Sequence, residues 1–123
     1  MTRAAGLLCV CLSFVSGPAF AMDCWVPDIR TLDNQTVQGN MFVVSGKRCS
    51  IVMLRSPGPI QGVSLVAPPS HGNVLVQGGR LIYTPRSGYL GEDRFVYARE
   101  GKDLENRPIK RTVEISVQVK EHL

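Results

Sequence analysis

The sequence predicts an all-β protein, an antiparallel sandwich of about seven short strands in a single domain. After position 21 the chain holds 13 Val and 6 Ile but only two Ala, a balance that favours strands over helices. Ten Gly and seven Pro divide the same 102 residues into short apolar segments. The last of these, residues 112–120, alternates apolar and polar side chains strictly, which is typical of a half-buried strand.

Residues 1–21 have the three parts of a secretory signal peptide. Arg3 supplies the positive charge, residues 4–15 are apolar, and Ser16-Gly17-Pro18 precedes a small-residue cleavage site at Ala19-Phe20-Ala21. We expect cleavage after Ala21, which leaves one domain over residues 22–123. The alternative is an uncleaved anchor, but the apolar run is short for a membrane-spanning helix.

Export changes the meaning of the four cysteines. Cys9 and Cys11 leave with the signal peptide, so Cys24 and Cys49 remain as an even pair in an oxidising compartment. We expect them to form a disulfide, with Trp25 packed against it. The alternative, a redox or metal-binding thiol pair, lacks a CxxC spacing and a nearby His.

A β-hairpin is predicted around Gly78-Gly79. A two-residue Gly-Gly connection between residues 73–77 and 80–84 favours a tight hairpin turn. If Gln77 lies opposite Arg80, the alternation of side chains divides the hairpin into two faces. The face assigned to the core carries Val74, Val76, Leu81 and Tyr83, and the other face carries Leu75 and Ile82.

Four more strands are expected from short apolar segments separated by Pro and Gly. They cover residues 41–44, 48–54, 61–67 and 94–99. In the last of them Phe95 and Tyr97 share one face, and this aromatic pair is expected to fill the core.

Several motifs resemble bacterial immunoglobulin-like or cadherin-like domains. They are Pro68-Pro69-Ser70-His71-Gly72-Asn73-Val74, then Tyr83-Thr84-Pro85, then Gly91-Glu92-Asp93-Arg94-Phe95-Val96-Tyr97, then the alternating final strand. The match spans about Val63 to Val119. The resemblance implies an immunoglobulin-like sandwich exported from a bacterium, periplasmic or secreted, with a protein-binding role. Its motif residues here are Tyr83, Pro85, Gly91, Asp93, Phe95 and Tyr97.

The chemistry of three of these motif residues predicts that they stabilise the fold. Pro85 ends a strand because it has no N–H to donate, and Gly91 can take a positive φ before the next strand. Asp93 is expected to accept backbone N–H bonds inside its own loop, and so to hold Tyr89 and Leu90 against the sandwich.

No catalytic residue, cofactor or metal ligand is predicted. Ser70 and His71 are adjacent in an extended turn, where side chains point in different directions, so a nucleophile and base pair is not expected. We interpret His71 as a turn or surface residue. No His/Cys group has zinc spacing.

The resemblance raises the question of calcium, because cadherin-like domains often bind it between consecutive copies. Glu92 and Asp93 are the one adjacent acidic pair of the chain, and Asp103 and Glu105 lie among basic residues. Because Ca²⁺ prefers six to eight oxygen ligands with matching charge, no calcium site is expected.

The most charged segment is residues 99–111, which joins two predicted strands. One interpretation is a solvated hairpin loop, and the other is a partner-binding loop at one end of the sandwich. The candidate binding residues are Arg99, Lys102, Asp103, Glu105, Arg107, Lys110 and Arg111. The net charge after signal removal, 13 minus 10 or +3, is too small and mixed to indicate nucleic acid.

The sequence therefore favours an exported, non-enzymatic immunoglobulin-like module that binds a protein or an envelope polymer through loops or an exposed edge strand, and does not span the membrane after signal cleavage. A small inhibitor or assembly chaperone of an exported protein is the alternative. An enzyme or a metal-carrier is a third hypothesis.

Overall fold

The computed structural model describes residue 6 and residues 22–53 and 60–123. The predicted signal peptide and its cleavage site lie outside the described residues, as does position 54 of the predicted strand 48–54. The described residues form eight β-strands and no helix. The strands are β1 (Cys24–Trp25), β2 (Thr36–Val44), β3 (Cys49–Val52), β4 (Ile60–Ala67), β5 (Gly72–Gln77), β6 (Arg80–Pro85), β7 (Gly91–Lys102) and β8 (Pro108–Lys120).

The strands form two sheets, with the order β1-β2-β8-β7-β4 in one and β3-β6-β5 in the other. If β2 to β8 are taken as strands A to G, the larger sheet contains strands C, F and G and the smaller sheet is B-E-D, which is the division of an immunoglobulin-like sandwich. Strand β2, the counterpart of strand A, departs from the constant-type order. It pairs with β8, in parallel, and so leaves β3 at the edge of the smaller sheet. The predicted fold class, a single-domain all-β sandwich with one disulfide, is confirmed.

The core lies between the two sheets and is filled by alternate residues of the long strands. Its side chains with 2% exposure or less include Met41, Val43, Cys49, Leu81, Tyr83, Phe95, Tyr97, Val113, Ile115 and Val117. Tyr83 of the smaller sheet stacks on Phe95 of the larger, with ring centroids 5.7 Å apart. Aromatic rings from opposing sheets therefore form the centre of the sandwich.

The β5–β6 hairpin has the register expected from its Gly-Gly turn, with Gln77 opposite Arg80 and Val74 opposite Tyr83. Leu81 and Tyr83 are fully buried and Val74 is half-buried, but Val76 is 37% exposed. The assignment of Val76 to the core is therefore wrong. Val76 lies opposite Leu81 and shares its face of the sheet, but β5 is an edge strand, so the Val76 side chain remains partly exposed to solvent.

The Cys24–Cys49 disulfide is present and joins the two sheets, since Cys24 belongs to β1 and Cys49 to β3. The expectation that Trp25 packs against this bridge is wrong. Successive strand residues face opposite sides of a sheet, so Trp25 points outward, 52% exposed, and stacks on Phe42 with centroids 5.3 Å apart.

Candidate functional site

The long β7–β8 hairpin runs the length of the sandwich and defines its two ends. Gly91 lies opposite Val119 at one end, and Lys102 lies opposite Pro108 at the other. We call the end that carries the connection between β7 and β8 the tip end. It contains the segment that the sequence singled out as a candidate binding loop.

The connection at the tip end is a three-residue loop, Leu104 to Asn106. Asp103 N donates to Arg107 O at 3.0 Å, and Asn106 N donates to Asp103 O at 3.0 Å. Asn106 has a φ of 63°. These features define a type I turn followed by a left-handed residue, a common hairpin connection, and Asn tolerates that conformation better than most residues.

The Asp103 side chain holds this loop in shape. One oxygen accepts from the backbone N–H of Glu105 at 2.9 Å and of Arg107 at 2.8 Å, and the other accepts from Arg107 Nε at 2.9 Å. The bond from the Arg107 backbone is the main reason that the pKa of Asp103 is lowered from its ordinary value. Arg107 also pairs with Glu105 at 3.0 Å. Three of the candidate binding charges are therefore used to order the loop.

Leu104 stands at the tip of this ordered loop with 95% of its surface exposed. It is the most exposed large apolar side chain among the described residues. The sequence pattern does not single out Leu104 because charged residues dominate this segment. An apolar residue at the first position of a loop bracketed by Asp and Arg is the signal that points to it.

Arg99 and Arg111 do not belong to the loop, which corrects the grouping of the candidate residues. They lie opposite each other in β7 and β8, on the strand face that carries the core. Arg111 is 9% exposed, and its Nε and Nη2 atoms lie 2.7 and 2.6 Å from Asp33 Oδ1. Strand alternation places both arginines inward, at the tip end of the sandwich.

The chain before β2 is fastened across the tip end. Lys110 N donates to Asn34 Oδ1 at 3.1 Å, and Asn34 N donates to Lys110 O at 2.8 Å. The exposed Lys110 thus lies in β8, beside the Asn34 turn. The other candidate lysine, Lys102, is the last residue of β7.

A cleft of about 420 Å³ opens between the two sheets on the tip side of the core. Burial raises the pKa of the Tyr97 phenol on its wall to about 12 and lowers the pKa of Arg99. Such a volume lies within the range of small ligand pockets. The lining residues are Val26, Pro27, Asp28, Ile29, Thr31, Ser50, Ile51, Val52, Met53, Tyr97 and Arg99.

At the opposite end Asp93 makes a different set of contacts from the one expected. Its carboxylate accepts the backbone N–H groups of Ser70 at 2.9 Å and His71 at 3.1 Å, and the Tyr83 hydroxyl at 2.7 Å. Asp93 thus fastens the β4–β5 turn, and Ser45 Oγ instead holds the carbonyl of Tyr89 at 3.0 Å. Burial and this hydrogen bond raise the pKa of Tyr83 well above its ordinary value.

His71 is half-buried in the same region. Its ring stacks on Tyr89 with centroids 4.2 Å apart, and its Nδ1 lies 3.4 Å from Arg86 Nη2. Arg86 N also donates to the His71 carbonyl at 2.8 Å. His71 therefore packs the β4–β5 turn, in which it lies, against the β6–β7 connection, which contains Arg86 and Tyr89.

Over residues 22–53 and 60–123 no three His, Cys, Asp or Glu side chains are grouped as a metal site would require. No helix in the part of the chain that the structure describes is long and apolar enough to cross a membrane. No protein-family model matches this chain, and no curated protein matches it.

Proposed function

We propose that residues 22–123 are an exported, non-enzymatic binding module of a bacterial envelope, and that the tip end contacts an exported protein. The observation that carries this proposal is the nearly complete exposure of Leu104 on a loop ordered by Asp103 and Arg107. Export is supported by the signal-like residues 1–21, by the disulfide and by the resemblance to exported immunoglobulin-like domains.

An ordered loop suits recognition because little conformational freedom remains to be lost on binding. Full burial of a Leu side chain in a partner contributes about 1.5–3 kcal/mol, enough for one residue to anchor a contact. Arg107 pairs with both Asp103 and Glu105, which leaves a net charge of −1 on these three residues, so the loop offers an apolar tip with a mixed-charge surround. That combination fits a protein surface with an apolar pocket better than a uniformly charged polymer.

The rigidity of the loop also favours a second candidate, a small inhibitor or assembly chaperone of one exported protein. Inhibitors commonly insert a preformed loop whose backbone changes little on binding. The two functions use the same surface and differ in the partner. A stable one-to-one complex that blocks the partner's activity identifies the inhibitor.

The test compares two exposed leucines at opposite ends of the sandwich. Leu104 is at the tip end, and Leu90, 48% exposed, lies next to Gly91 at the other end. Immobilised residues 22–123 are used to capture proteins from a native envelope extract, alongside Leu104→Asp and Leu90→Asp variants. We expect the wild type and Leu90→Asp to retain one defined protein and Leu104→Asp to lose it at least tenfold. Equal capture by Leu104→Asp, or loss by Leu90→Asp alone, contradicts the proposal.

A further inference from the structure

The two edge strands on one side of the sandwich, β4 and β5, contain no charged residue. The chain contains 14 Lys and Arg and 10 Asp and Glu, yet none of them lies between Arg55 and Arg80. This uncharged run includes β4 and β5, which form an outer edge of each sheet and contact each other. On the opposite side of the sandwich, β1 and β3 are joined by the disulfide. Charged side chains are depleted from the cores of protein interfaces, so this pair of edge strands has the composition of a contact surface.

The edge of β5 has backbone groups available for pairing. Gln77 and Arg80 flank a two-residue turn and form the first hydrogen-bonded pair of the hairpin. By alternation, the N–H and C=O groups of Val74 and Val76 point away from β6. No strand in the described part of the chain pairs with β5 on that side.

β5 also lacks the devices that normally protect an edge strand, which are charged residues, proline and bulges. Its residues are uncharged, its ladder with β6 is regular, and Leu75 is 55% exposed. β4 differs, since its pairing with β7 is interrupted between Ile60 and Gly62 and between Leu65 and Ala67. Of the two uncharged edges, β5 is the better template for another strand.

The sequence of β5 is self-complementary. Asn73-Val74-Leu75-Val76-Gln77 reads amide, apolar, apolar, apolar, amide in both directions. In an antiparallel pair centred on Leu75, Val74 lies opposite Val76 and Asn73 opposite Gln77, so every residue meets its own chemical class. The same register brings together the outward-pointing backbone groups of Val74 and Val76.

We propose that β5 pairs with β5 of a second copy of this chain, antiparallel about a two-fold axis at Leu75. The two three-stranded sheets then form one continuous sheet of six strands. Because no charge lies on the strand, the two-fold axis brings no like charges together. Edge pairing of one short strand buries little surface, so the dimer is weak and dissociates on dilution.

The pairing predicts that residue 75 of one copy lies opposite residue 75 of the other, and charge exchange tests this directly. Leu75→Lys and Leu75→Glu each place like charges in contact, whereas a mixture of the two variants places opposite charges there. Val52→Lys is the matched control, since Val52 is 56% exposed in β3, the other edge strand of the same sheet. Circular dichroism verifies that each variant is folded.

Sedimentation equilibrium of residues 22–123 over a wide concentration range measures the association. We expect the apparent mass of the wild type and of Val52→Lys to rise towards twice the monomer value, each Leu75 variant to stay monomeric, and their mixture to dimerise. Hydrogen exchange at the Val74 and Val76 amides slows in the wild type as concentration rises. A monomeric wild type at every concentration, a dimer that survives Leu75→Lys, or a mixture that stays monomeric overturns the proposal.

Discussion

At the scale of single residues, Asp93 joins parts of the chain that are far apart in sequence. Its carboxylate accepts the N–H groups of Ser70, His71 and Arg94 and the hydroxyl of Tyr83, and the residue is only 8% exposed. Buried carboxylates are tolerated when their oxygens are fully used as acceptors. Asp93 therefore fixes the β4–β5 turn against β6 and β7.

Replacement of Asp93 by Asn tests this role. The Asn amide group presents N–H donors to a site that contains donors, so we expect the free energy of unfolding to fall by about 3 kcal/mol. Tyr83→Phe removes one donor only and should cost about 1 kcal/mol. Urea unfolding followed by circular dichroism measures both changes. A loss below that of Tyr83→Phe would show that the carboxylate is not needed.

Tyr97 makes stability depend on alkaline pH. Burial raises the pKa of its phenol from 10.0 to about 12, so the folded state holds the proton more tightly than the unfolded state. The contribution is fully present below about pH 10 and is lost as the pH rises to about 12. We expect the urea midpoint of the wild type to fall over this interval and that of Tyr97→Phe to fall less steeply. Parallel curves for the two proteins would refute this assignment.

The residue scale is where the sequence predicted least. That Asp93 accepts backbone N–H groups followed from the chemistry of Asp in a turn, but its donors lie 22 and 23 residues earlier in the chain. Pairing between distant turns depends on how strands stack, which local pattern does not contain. For the same reason, the local sequence pattern does not separate Arg111 from the loop, although its side chain pairs with Asp33.

At the scale of elements, local signals were strong and predicted well. The Gly-Gly turn determined the register of β5 with β6, and alternation identified the buried face of β8. The first residues of β2 carry no strand signal because Gln38, Gly39 and Asn40 weaken the apolar pattern, and the two residues of β1 are too few to form one. The parallel pairing of β2 with β8 also has no local signature.

The disulfide joins strands β1 and β3, and so connects the two sheets at one side of the sandwich. It closes a loop over a sequence separation of 25 residues, and the loop-entropy estimate for that length is about 3 kcal/mol. We expect the Cys24→Ser, Cys49→Ser double variant to lose about this much free energy of unfolding in urea. Thiol titration of the denatured, unreduced wild type should find neither residue reactive. Two titratable thiols would show that the bridge is not formed.

The loop at the tip end depends on the left-handed conformation of Asn106. We expect Asn106→Ala to destabilise the protein by about 1 kcal/mol, because a Cβ without a compensating side-chain hydrogen bond disfavours that φ. Asn106→Gly should be nearly neutral, since Gly adopts a positive φ without strain. Thermal unfolding of both variants distinguishes the backbone effect from loss of a side-chain contact, which would make Gly the worse replacement.

At the scale of the whole molecule, two sides and one end of the sandwich differ in their surface chemistry. The disulfide closes one side, the edge strands of the opposite side contain no charged residue, and the tip end displays Leu104 on an ordered loop. Strand sequence determines the first two features through the residues at the sheet edges. The third arises because β7 and β8 extend beyond the core and carry their connection into solvent.

Site-specific photo-crosslinking in a native envelope preparation tests directly whether the tip end is the recognition surface. A photoreactive amino acid is placed at position 104, at position 75 or at position 90 of the full chain. We expect position 104 to cross-link to one defined exported protein, position 75 to a second copy of this chain, and position 90 to neither. If position 104 captures nothing while position 90 captures a defined protein, the tip end is not the recognition surface.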